Sequence, residues 1–224
     1  MENTLIIFDM DGTLVDTRKD ITISINFVRQ LRNLPPLSQE EVLEIINQRR
    51  KNLSKQFYNT DSYLEKDKNA FERHYRKQCV KNVAPFPGVC NTLYKLKSLG
   101  AKMSVATNAP TEFAEIILEA ARIKHYFDFI IGACKVKTPK PDAEIIHLIT
   151  SLYNIDRIIP QKTYIVGDNY TDITAGKNAG ITSVYAKWGY GSFHEDASPH
   201  FIAENFNDII NIIRNSPQIT LNSI

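Results

Sequence analysis

The sequence has little excess charge and no long apolar run. Its 224 residues include 27 lysines and arginines against 25 aspartates and glutamates, which gives a net charge of +2. Such a small net charge gives no electrostatic reason to expect nucleic acid or a membrane surface as a partner. No apolar stretch approaches the roughly 20 residues that span a bilayer. Acidic residues appear at once and no basic region precedes the first apolar stretch, so we expect no secretory leader.

Thiols and imidazoles that could bind a soft metal are also scarce. The three cysteines (Cys79, Cys90 and Cys134) are an odd number without zinc-like spacing, which favours reduced thiols in a cytoplasmic protein. The five histidines show no metal-ligand spacing either. Hydrophobic residues make up 43% of the chain and charged residues 23%, so we expect a folded globular protein rather than a disordered one.

Apolar runs alternate with helix-like stretches over most of the chain. The first run, Thr4-Leu5-Ile6-Ile7-Phe8, has no polar alternation, which is typical of a strand buried on both faces of a parallel sheet. Four similar runs follow at residues 102–107, 127–132, 163–167 and 182–186. Helix-like stretches lie at residues 89–99, 112–121, 143–153 and 171–179. This alternation predicts an α/β fold with a mostly parallel sheet.

Residues 16–84 differ from the rest, because they contain no strand-like run and carry apolar residues at helical spacing. Ser38 and Glu41 match a capping box at the start of a helix. Pro85-Phe86-Pro87-Gly88 closes the stretch and is typical of a linker. We therefore predict two domains, an α/β core of residues 1–15 and 85–224 and an inserted helical domain of residues 16–84.

Chemically reactive side chains follow four of the predicted strands. Asp9 and Asp11 follow the first strand, Thr107 and Asn108 end the second, Lys140 lies in the loop after the third, and Asp168 and Asp172 follow the fourth. Ligands of open α/β sheets bind at the carboxyl ends of the strands, so we expect these side chains to converge there. The convergence of four acids favours a functional site over four unrelated turn formers.

The spacing of Asp9 and Asp11 indicates a site for a hard divalent cation. In extended chain, side chains two residues apart project from the same side, and Gly12 then permits a turn. Two acids this close raise each other's pKa unless a cation or basic group intervenes. Mg²⁺ typically uses one or two carboxylates plus substrate phosphate, and Asp168 supplies a third carboxylate. Asp172 either orients waters or contacts the metal itself.

A carboxylate in such a site can accept a phosphoryl group, because this transfer needs mainly positioning and charge neutralisation. We predict that Asp9 attacks phosphorus, while Asp11 protonates the leaving oxygen and then deprotonates the attacking water. The Thr107 hydroxyl and the backbone around Asn108 would hold phosphate oxygens. Lys140 would offset the negative charge of Asp9 and the phosphoryl group.

Four segments resemble the four motifs of the haloacid dehalogenase superfamily, in the family's order and over nearly the whole chain. They are Asp9-Met10-Asp11-Gly12-Thr13-Leu14-Val15-Asp16, Val105-Ala106-Thr107-Asn108, Lys140-Pro141-Asp142 and Val166-Gly167-Asp168-Asn169-Tyr170-Thr171-Asp172. The resemblance implies a Rossmann-like, doubly wound core and Mg²⁺ bound by Asp9, the main-chain carbonyl of Asp11, and Asp168. It also implies that the helical insert is a cap that closes over the substrate.

Within the superfamily, Asp11 argues against the dehalogenases, which lack an acid two residues after the nucleophile. Residues 15–21, 172–180 and 188–191 look closest to phosphoglycolate phosphatases. Pyrophosphatases and sugar-phosphate or nucleotide phosphatases share parts of these segments, and phosphomutases share the four motifs. The resemblance implies a small phosphorylated metabolite as the partner of a monomer or homodimer. A non-catalytic phospho-signalling or binding protein on this fold is the alternative of another class.

One cap segment departs from the family pattern. Residues 46–52 contain Arg49 and Arg50 where a glycine-containing loop is usual. Arginine binds carboxylates and phosphates through two parallel hydrogen bonds, so Arg49 and Arg50 are candidate contacts for an anionic group of the substrate. The alternative is an ordinary solvated helix face. Gly189-Tyr190-Gly191 resembles a dinucleotide loop only superficially, because no matching glycine follows three residues later.

Overall fold

The computed structural model describes residues 1, 3–48, 52–153, 162–192 and 198–216. The chain divides into two compact units, one formed by Met1–Val15 with Pro85–Ile224 and the other by Asp16–Ala84. The strands are β1 (Leu5–Phe8), β2 (Val15–Asp16), β3 (Ala84–Pro85), β4 (Lys102–Thr107), β5 (Phe129–Gly132), β6 (Thr163–Gly167), β7 (Thr182–Ala186) and β8 (Phe201–Ala203). β2 and β3 form a separate two-stranded sheet.

A six-stranded sheet forms the centre of the first unit. Its strand order is β5-β4-β1-β6-β7-β8, and every neighbouring pair is parallel. The chain builds outward from β1 on one side through β4 and β5, and on the other side through β6, β7 and β8. β1 therefore lies at the point where the winding reverses, which is where open α/β sheets bind their ligands.

Both faces of β1 are covered, which explains why its sequence shows no polar alternation. On one face Leu5 and Ile7 belong to a cluster that includes Ile145 and Ile149. On the other face the ring of Phe8 stacks on that of Phe206, with centroids 5.7 Å apart. The helices of this unit are α5 (Val89–Ser98), α6 (Thr111–Ala120), α7 (Glu144–Leu152), α8 (Tyr170–Asn178) and α9 (Asp208–Asn215).

The described residues of the second unit form four helices, α1 (Arg18–Leu31), α2 (Gln39–Asn47), α3 (Leu53–Tyr58) and α4 (Glu65–Gln78). Its apolar centre is formed by Ile25, Val28, Val42, Phe57, Tyr58 and Ala70. The predicted capping box is confirmed at the start of α2. Ser38 Oγ accepts a hydrogen bond from the Glu41 N–H at 3.1 Å, and Glu41 Oε2 accepts one from the Ser38 N–H at 2.6 Å.

Buried charges of the second unit have hydrogen-bond partners. The Asp20 carboxylate accepts three hydrogen bonds, from Gln78 Nε2 at 2.7 Å and from the backbone and side-chain nitrogens of Asn82 at 3.0 and 2.6 Å. The buried Arg29 guanidinium donates to the carbonyls of Pro35 and Phe57. Buried polar groups that are satisfied in this way fix the packing of the elements they join.

The predicted α/β class with a doubly wound parallel sheet is confirmed. All five predicted strands are present, and only the starts of β1 and β5 lie later than predicted, by one and two residues. The sixth strand of the main sheet, β8, was not predicted, and neither were the two-residue strands β2 and β3 at the two ends of the helical stretch, which are too short to leave an apolar pattern. In the part of the chain that the structure describes, no helix has the length and apolarity needed to cross a lipid bilayer.

Candidate active site

The carboxyl ends of three central strands bring the predicted acids together. Phe8 at the end of β1 pairs with Val105 of β4 on one side and with Val166 of β6 on the other. Asp9 therefore begins the loop next to the one that begins at Asp168, and its N–H donates to the Val166 carbonyl at 2.8 Å. Strand register alone thus aligns residues that lie far apart in the sequence.

Lys140 is the buried cation of this site. Its Nζ donates to Asp9 Oδ1 at 2.7 Å, to Asp172 Oδ1 at 2.6 Å and to the Ala106 carbonyl at 2.6 Å. These three bonds use all the N–H donors of an ammonium group. Burial opposes the charge, but the carboxylates of Asp172 and Asp9 outweigh it and hold the pKa of Lys140 above its ordinary value. The lysine is therefore a fixed positive charge.

The two carboxylate oxygens of Asp9 differ in their hydrogen bonding. Oδ1 accepts from Lys140, whereas Oδ2 accepts no hydrogen bond from any residue that the structure describes. Burial raises the pKa of Asp9 well above its usual range, and the nearby Asp172 and Asp168 carboxylates add to this against the opposing effect of Lys140. The open oxygen is the atom available to a metal ion or an electrophile.

Asp168 is held by backbone donors from a distant segment. Its Oδ2 accepts hydrogen bonds from the N–H groups of Tyr190 at 3.0 Å and Gly191 at 2.7 Å. Its Oδ1 accepts a longer bond, from the Thr13 hydroxyl at 3.3 Å. Burial and the neighbouring Asp172 raise the pKa of Asp168 to about 7, although the two N–H groups act in the opposite direction.

Asp172 joins the start of α8 to the lysine. Its Oδ2 accepts from the Asn169 N–H at 3.1 Å as part of a capping box, and its Oδ1 accepts from Lys140. Gly167 makes room for this carboxylate, because a Cβ atom there would lie 2.2 Å from the Asp172 Cγ. Both oxygens of Asp172 are thus engaged in the structure.

Thr107 and Asn108 lie at the end of β4, beside Lys140. The Thr107 hydroxyl oxygen accepts from the Ala109 N–H at 3.1 Å. The Asn108 side chain pairs with the main chain of Lys140, donating to its carbonyl at 2.9 Å and accepting from its N–H at 3.0 Å. Asn108 was predicted to bind phosphate. Since its amide is occupied in this way, such a contact would fall to its main chain.

Asp11 lies in a tight turn directly after Asp9. The Gly12 N–H donates to the Val15 carbonyl at 3.0 Å, and Asp11 forms an isolated β-bridge with Val15. Gly12 has a φ of 85°, a backbone conformation that glycine adopts without the cost a side chain would add. The predicted cap contacts, Arg49 and Arg50, lie outside the described residues.

The donor set fits a hard divalent cation. One oxygen from each of Asp9, Asp168 and Asp172 lies within 4.8 Å of the others. Three buried carboxylates lie near one buried ammonium, so the cluster has an excess of acidic groups over basic ones. Burial first, and then the neighbouring carboxylates, raise the pKa of Asp9 and the pKa of Asp168. Oxygen ligands of this kind suit Mg²⁺.

The turn at residues 188–191 is a part of the site that sequence reasoning missed. In the sequence its glycines indicate only a poor dinucleotide loop and a resemblance to one group of phosphatases. The available signal was the close spacing of Gly189 and Gly191 just after a predicted strand, since glycines in such a position often allow backbone to approach a charged group.

Comparison with known proteins identifies the family. Residues 6–186 match the family model described as "Haloacid dehalogenase-like hydrolase". The chain belongs to the haloacid dehalogenase-like hydrolase family. The family predicted from the four motifs is therefore confirmed.

Relatives of known name cover nearly the whole chain. Phosphoglycolate phosphatase of Aquifex aeolicus (strain VF5) is 30% identical over 211 residues, which are 94% of this chain and 97% of that protein. Phosphoglycolate phosphatase of Escherichia coli (strain K12) is 29% identical over 228 residues, covering 91% of this chain and 89% of that protein. A crystal structure titled as a predicted phosphoglycolate phosphatase from Haemophilus somnus 129pt superposes with a TM-score of 0.81 at 29% identity, covering 95% and 99% of the two chains.

Proposed function

We propose that this protein is a Mg²⁺-dependent phosphatase that hydrolyses a small anionic phosphate monoester through a phosphorylated Asp9. The observation that carries the proposal is the contact of Lys140 Nζ with Asp9 Oδ1 at 2.7 Å, which leaves Oδ2 open. An oriented, charge-compensated carboxylate with one open oxygen has the properties of a nucleophile for phosphoryl transfer.

The residues that would hold the metal are Asp9, Asp168 and the main-chain carbonyl of Asp11, with Asp172 beside them. When bound, Mg²⁺ would neutralise charge on the phosphoryl oxygens and orient them for in-line attack. The clustering of three carboxylates within 4.8 Å supports this assignment.

In the first half-reaction, Asp9 Oδ2 forms a bond to phosphorus while the bond from phosphorus to the ester oxygen breaks. The Asp11 carboxylic acid gives its proton to that oxygen, so the alcohol leaves neutral. Lys140 remains protonated throughout and offsets the charge near Asp9. The Thr107 hydroxyl and the N–H of Asn108 donate to phosphoryl oxygens.

In the second half-reaction, a water molecule attacks the same phosphorus atom. Asp11, now a carboxylate, takes the proton of that water, and the bond between phosphorus and Asp9 breaks. Inorganic phosphate leaves, and both aspartates return to their starting protonation states. The reaction consumes one water and one ester and yields one alcohol and one phosphate.

The names of the relatives and the basic residues of the cap segment support the proposed substrate class. Both curated relatives described above are named phosphoglycolate phosphatase, which favours a small phosphorylated acid. We propose that the helical unit, residues 16–84, is the cap domain and that Arg49 and Arg50 bind the second anionic group of the substrate. We further propose that the protein acts in the cytoplasm as a monomer or homodimer, without nucleic acid or membrane partners.

A panel of phosphate esters tests the proposed function. Purified protein with Mg²⁺ should release inorganic phosphate from an aryl phosphate and, more efficiently, from phosphoglycolate than from pyrophosphate, nucleotides or hexose phosphates. Chelation with EDTA should abolish the release. A phosphomutase would instead need a bisphosphate activator and release little phosphate, and a binding protein would release none. Either result would contradict the proposal.

The arginines can be tested separately from the chemistry. Arg49→Ala should raise KM for the preferred anionic substrate more than for the aryl phosphate, because only the former has a second anionic group. Lys55→Ala, which removes an exposed cation of α3, is the matched control and should change neither KM. Equal increases for both substrates in Arg49→Ala would contradict the proposed contact.

A further inference from the structure

Three glycines from two distant segments surround the Asp168 carboxylate. A Cβ atom at Gly12 would lie 2.2 Å from Asp168 Oδ2, and one at Gly189 would lie 2.4 Å from the same oxygen. A Cβ at Gly191 would lie 2.5 Å from the Asp168 main-chain carbonyl oxygen and 3.0 Å from Oδ2. Real Cβ atoms essentially never approach other atoms so closely, so each position requires glycine while Asp168 keeps this place.

The two oxygens of Asp168 have different surroundings. Oδ2 receives two short, charge-assisted hydrogen bonds, from the N–H groups of Tyr190 and Gly191. Among the other residues that the structure describes, Thr13 is the one that donates to Oδ1, and its hydroxyl lies at the longer distance of 3.3 Å. Because Oδ2 already accepts two hydrogen bonds, it has little capacity left to coordinate a cation. Oδ1 is therefore the oxygen that can coordinate one.

The glycine turn is itself anchored to the loop of the nucleophile. The Trp188 indole Nε1 donates to the Thr13 carbonyl at 3.0 Å, and its ring packs at 5.3 Å from the ring of Phe206. Thr13 in turn donates its hydroxyl to Asp168. The turn and the first loop therefore hold Asp168 from both sides.

We propose that the turn Trp188–Gly191, together with Gly12, restricts Asp168 to binding the cation through Oδ1 alone, and that this restriction favours Mg²⁺ over Ca²⁺. Mg²⁺ takes six ligands at about 2.1 Å in a strict octahedron, whereas Ca²⁺ takes six to eight at about 2.3–2.6 Å and often uses both oxygens of a carboxylate. A carboxylate that can coordinate through one oxygen alone, because hydrogen bonds occupy the other, suits Mg²⁺ better than Ca²⁺. This inference rests on the proposed function only in requiring that Mg²⁺ binds.

The test is a calorimetric titration of the full-length, metal-free protein with Mg²⁺ and with Ca²⁺, in the absence of substrate. The wild-type protein should bind Mg²⁺ more tightly than Ca²⁺. Gly191→Ala should weaken Mg²⁺ binding about 10- to 100-fold, the range for losing a group that orients a metal ligand, while Ca²⁺ binding changes much less. Trp188 is the one tryptophan of the chain, so its fluorescence gives a second readout of the same titrations.

Two further variants separate this role from general destabilisation. Gly88 has a positive φ, 88°, and the atoms nearest to a Cβ there would belong to Asn207, so Gly88→Ala strains the fold away from Asp168. It should leave both affinities unchanged. Tyr190→Pro removes one N–H donor to Oδ2 without adding a Cβ at a glycine, and it should lower the preference for Mg²⁺ if Gly191→Ala does not fold.

The possible failures are distinguishable. If the wild-type protein binds no Mg²⁺, the metal dependence in the proposed function is wrong and this inference fails with it. If the wild-type protein binds Mg²⁺ but prefers Ca²⁺, or if the folded turn variants keep the wild-type preference, only this inference is wrong. Equal losses of Mg²⁺ and Ca²⁺ affinity in those variants would also contradict this inference, because the turn would then support the site without favouring either ion.

Discussion

Lys140 Nζ lies 2.7 Å from Asp9 Oδ1, although 131 positions separate the two residues in the chain. The same ammonium contacts Asp172 Oδ1 at 2.6 Å, so one buried cation joins the loop after β1 to the first turn of α8. The neighbouring Asp168 carboxylate adds further negative charge. This arrangement makes stability and activity depend on the same few charges.

Replacing Lys140 should damage both properties. Lys140→Met leaves the carboxylates of Asp9 and Asp172 without their shared cation, and removal of one partner of a buried ion pair typically costs about 3–5 kcal/mol. We expect such a loss in chemical denaturation of the metal-free protein, together with loss of phosphatase activity. Lys135→Met, which alters an exposed lysine of the same loop, should stay within about 0.5 kcal/mol. A Lys140→Met variant of wild-type stability would contradict the buried ion pairs.

The stability of the metal-free protein should fall as pH rises from about 4 to 7. Burial and Asp172 raise the pKa of Asp168 to about 7. The folded state therefore binds a proton in this window that the unfolded state has lost, and stability decreases by up to about 1.4 kcal/mol per pH unit for this group. Urea denaturation in EDTA at several pH values measures the slope.

Two controls accompany the pH series. Asp168→Asn should make the slope less negative without abolishing it, because this group can no longer ionise whereas Asp9, whose pKa is also raised, still can. Saturating Mg²⁺ should also flatten it, because the cation stabilises the ionised form in the folded state. A wild-type slope that is zero or positive over this window would show that Asp168 does not titrate as described.

Asp11→Asn should slow catalysis without preventing metal binding. The amide can neither give a proton to the leaving oxygen nor take one from water, and loss of general acid–base catalysis typically costs about 10²–10⁴-fold. The main-chain carbonyl of Asp11 is retained, so calorimetry should find Mg²⁺ affinity close to that of the wild type. Rates that match the wild type for aryl phosphate would exclude the proposed role of Asp11.

Asp9→Asn should eliminate turnover. The amide is a poor nucleophile, and removing the group that forms a covalent intermediate costs about 10⁴-fold or more. Phosphate release from an aryl phosphate measures the loss, and circular dichroism confirms that the variant is folded. Normal activity in the folded Asn variant would contradict covalent catalysis at Asp9.

The sequence was sufficient to predict the main sheet and the cluster of acids. Strands buried on both faces have largely apolar sequences, so β1, β4, β6 and β7 could be recognised without partners. The edge strand β5 has the same kind of sequence, although its first three residues are only half-buried. Convergence of Asp9, Lys140 and Asp168 followed from a general rule about strand ends. β8 was missed because it has three residues at the edge of the sheet, and Ile202 between Phe201 and Ala203 is exposed.

Contacts made by backbone groups could not be predicted in the same way. The pairing of the Asn108 amide with the Lys140 main chain leaves no pattern in either segment, because any residue supplies the same backbone groups. The N–H groups of Tyr190 and Gly191 are likewise independent of side-chain type. The sequence signal for these contacts is the pair Gly189 and Gly191, and it is weak because glycine also occurs in many turns that bind nothing.

The most direct test of the mechanism is to trap the phosphorylated enzyme. Protein mixed with Mg²⁺ and its preferred phosphate ester is quenched during turnover and treated with borohydride, which reduces an acyl phosphate to an alcohol. Peptide mass spectrometry should then find Asp9 converted to homoserine. Turnover without any modification of Asp9, or with modification of another carboxylate, would contradict the central claim that Asp9 is the nucleophile.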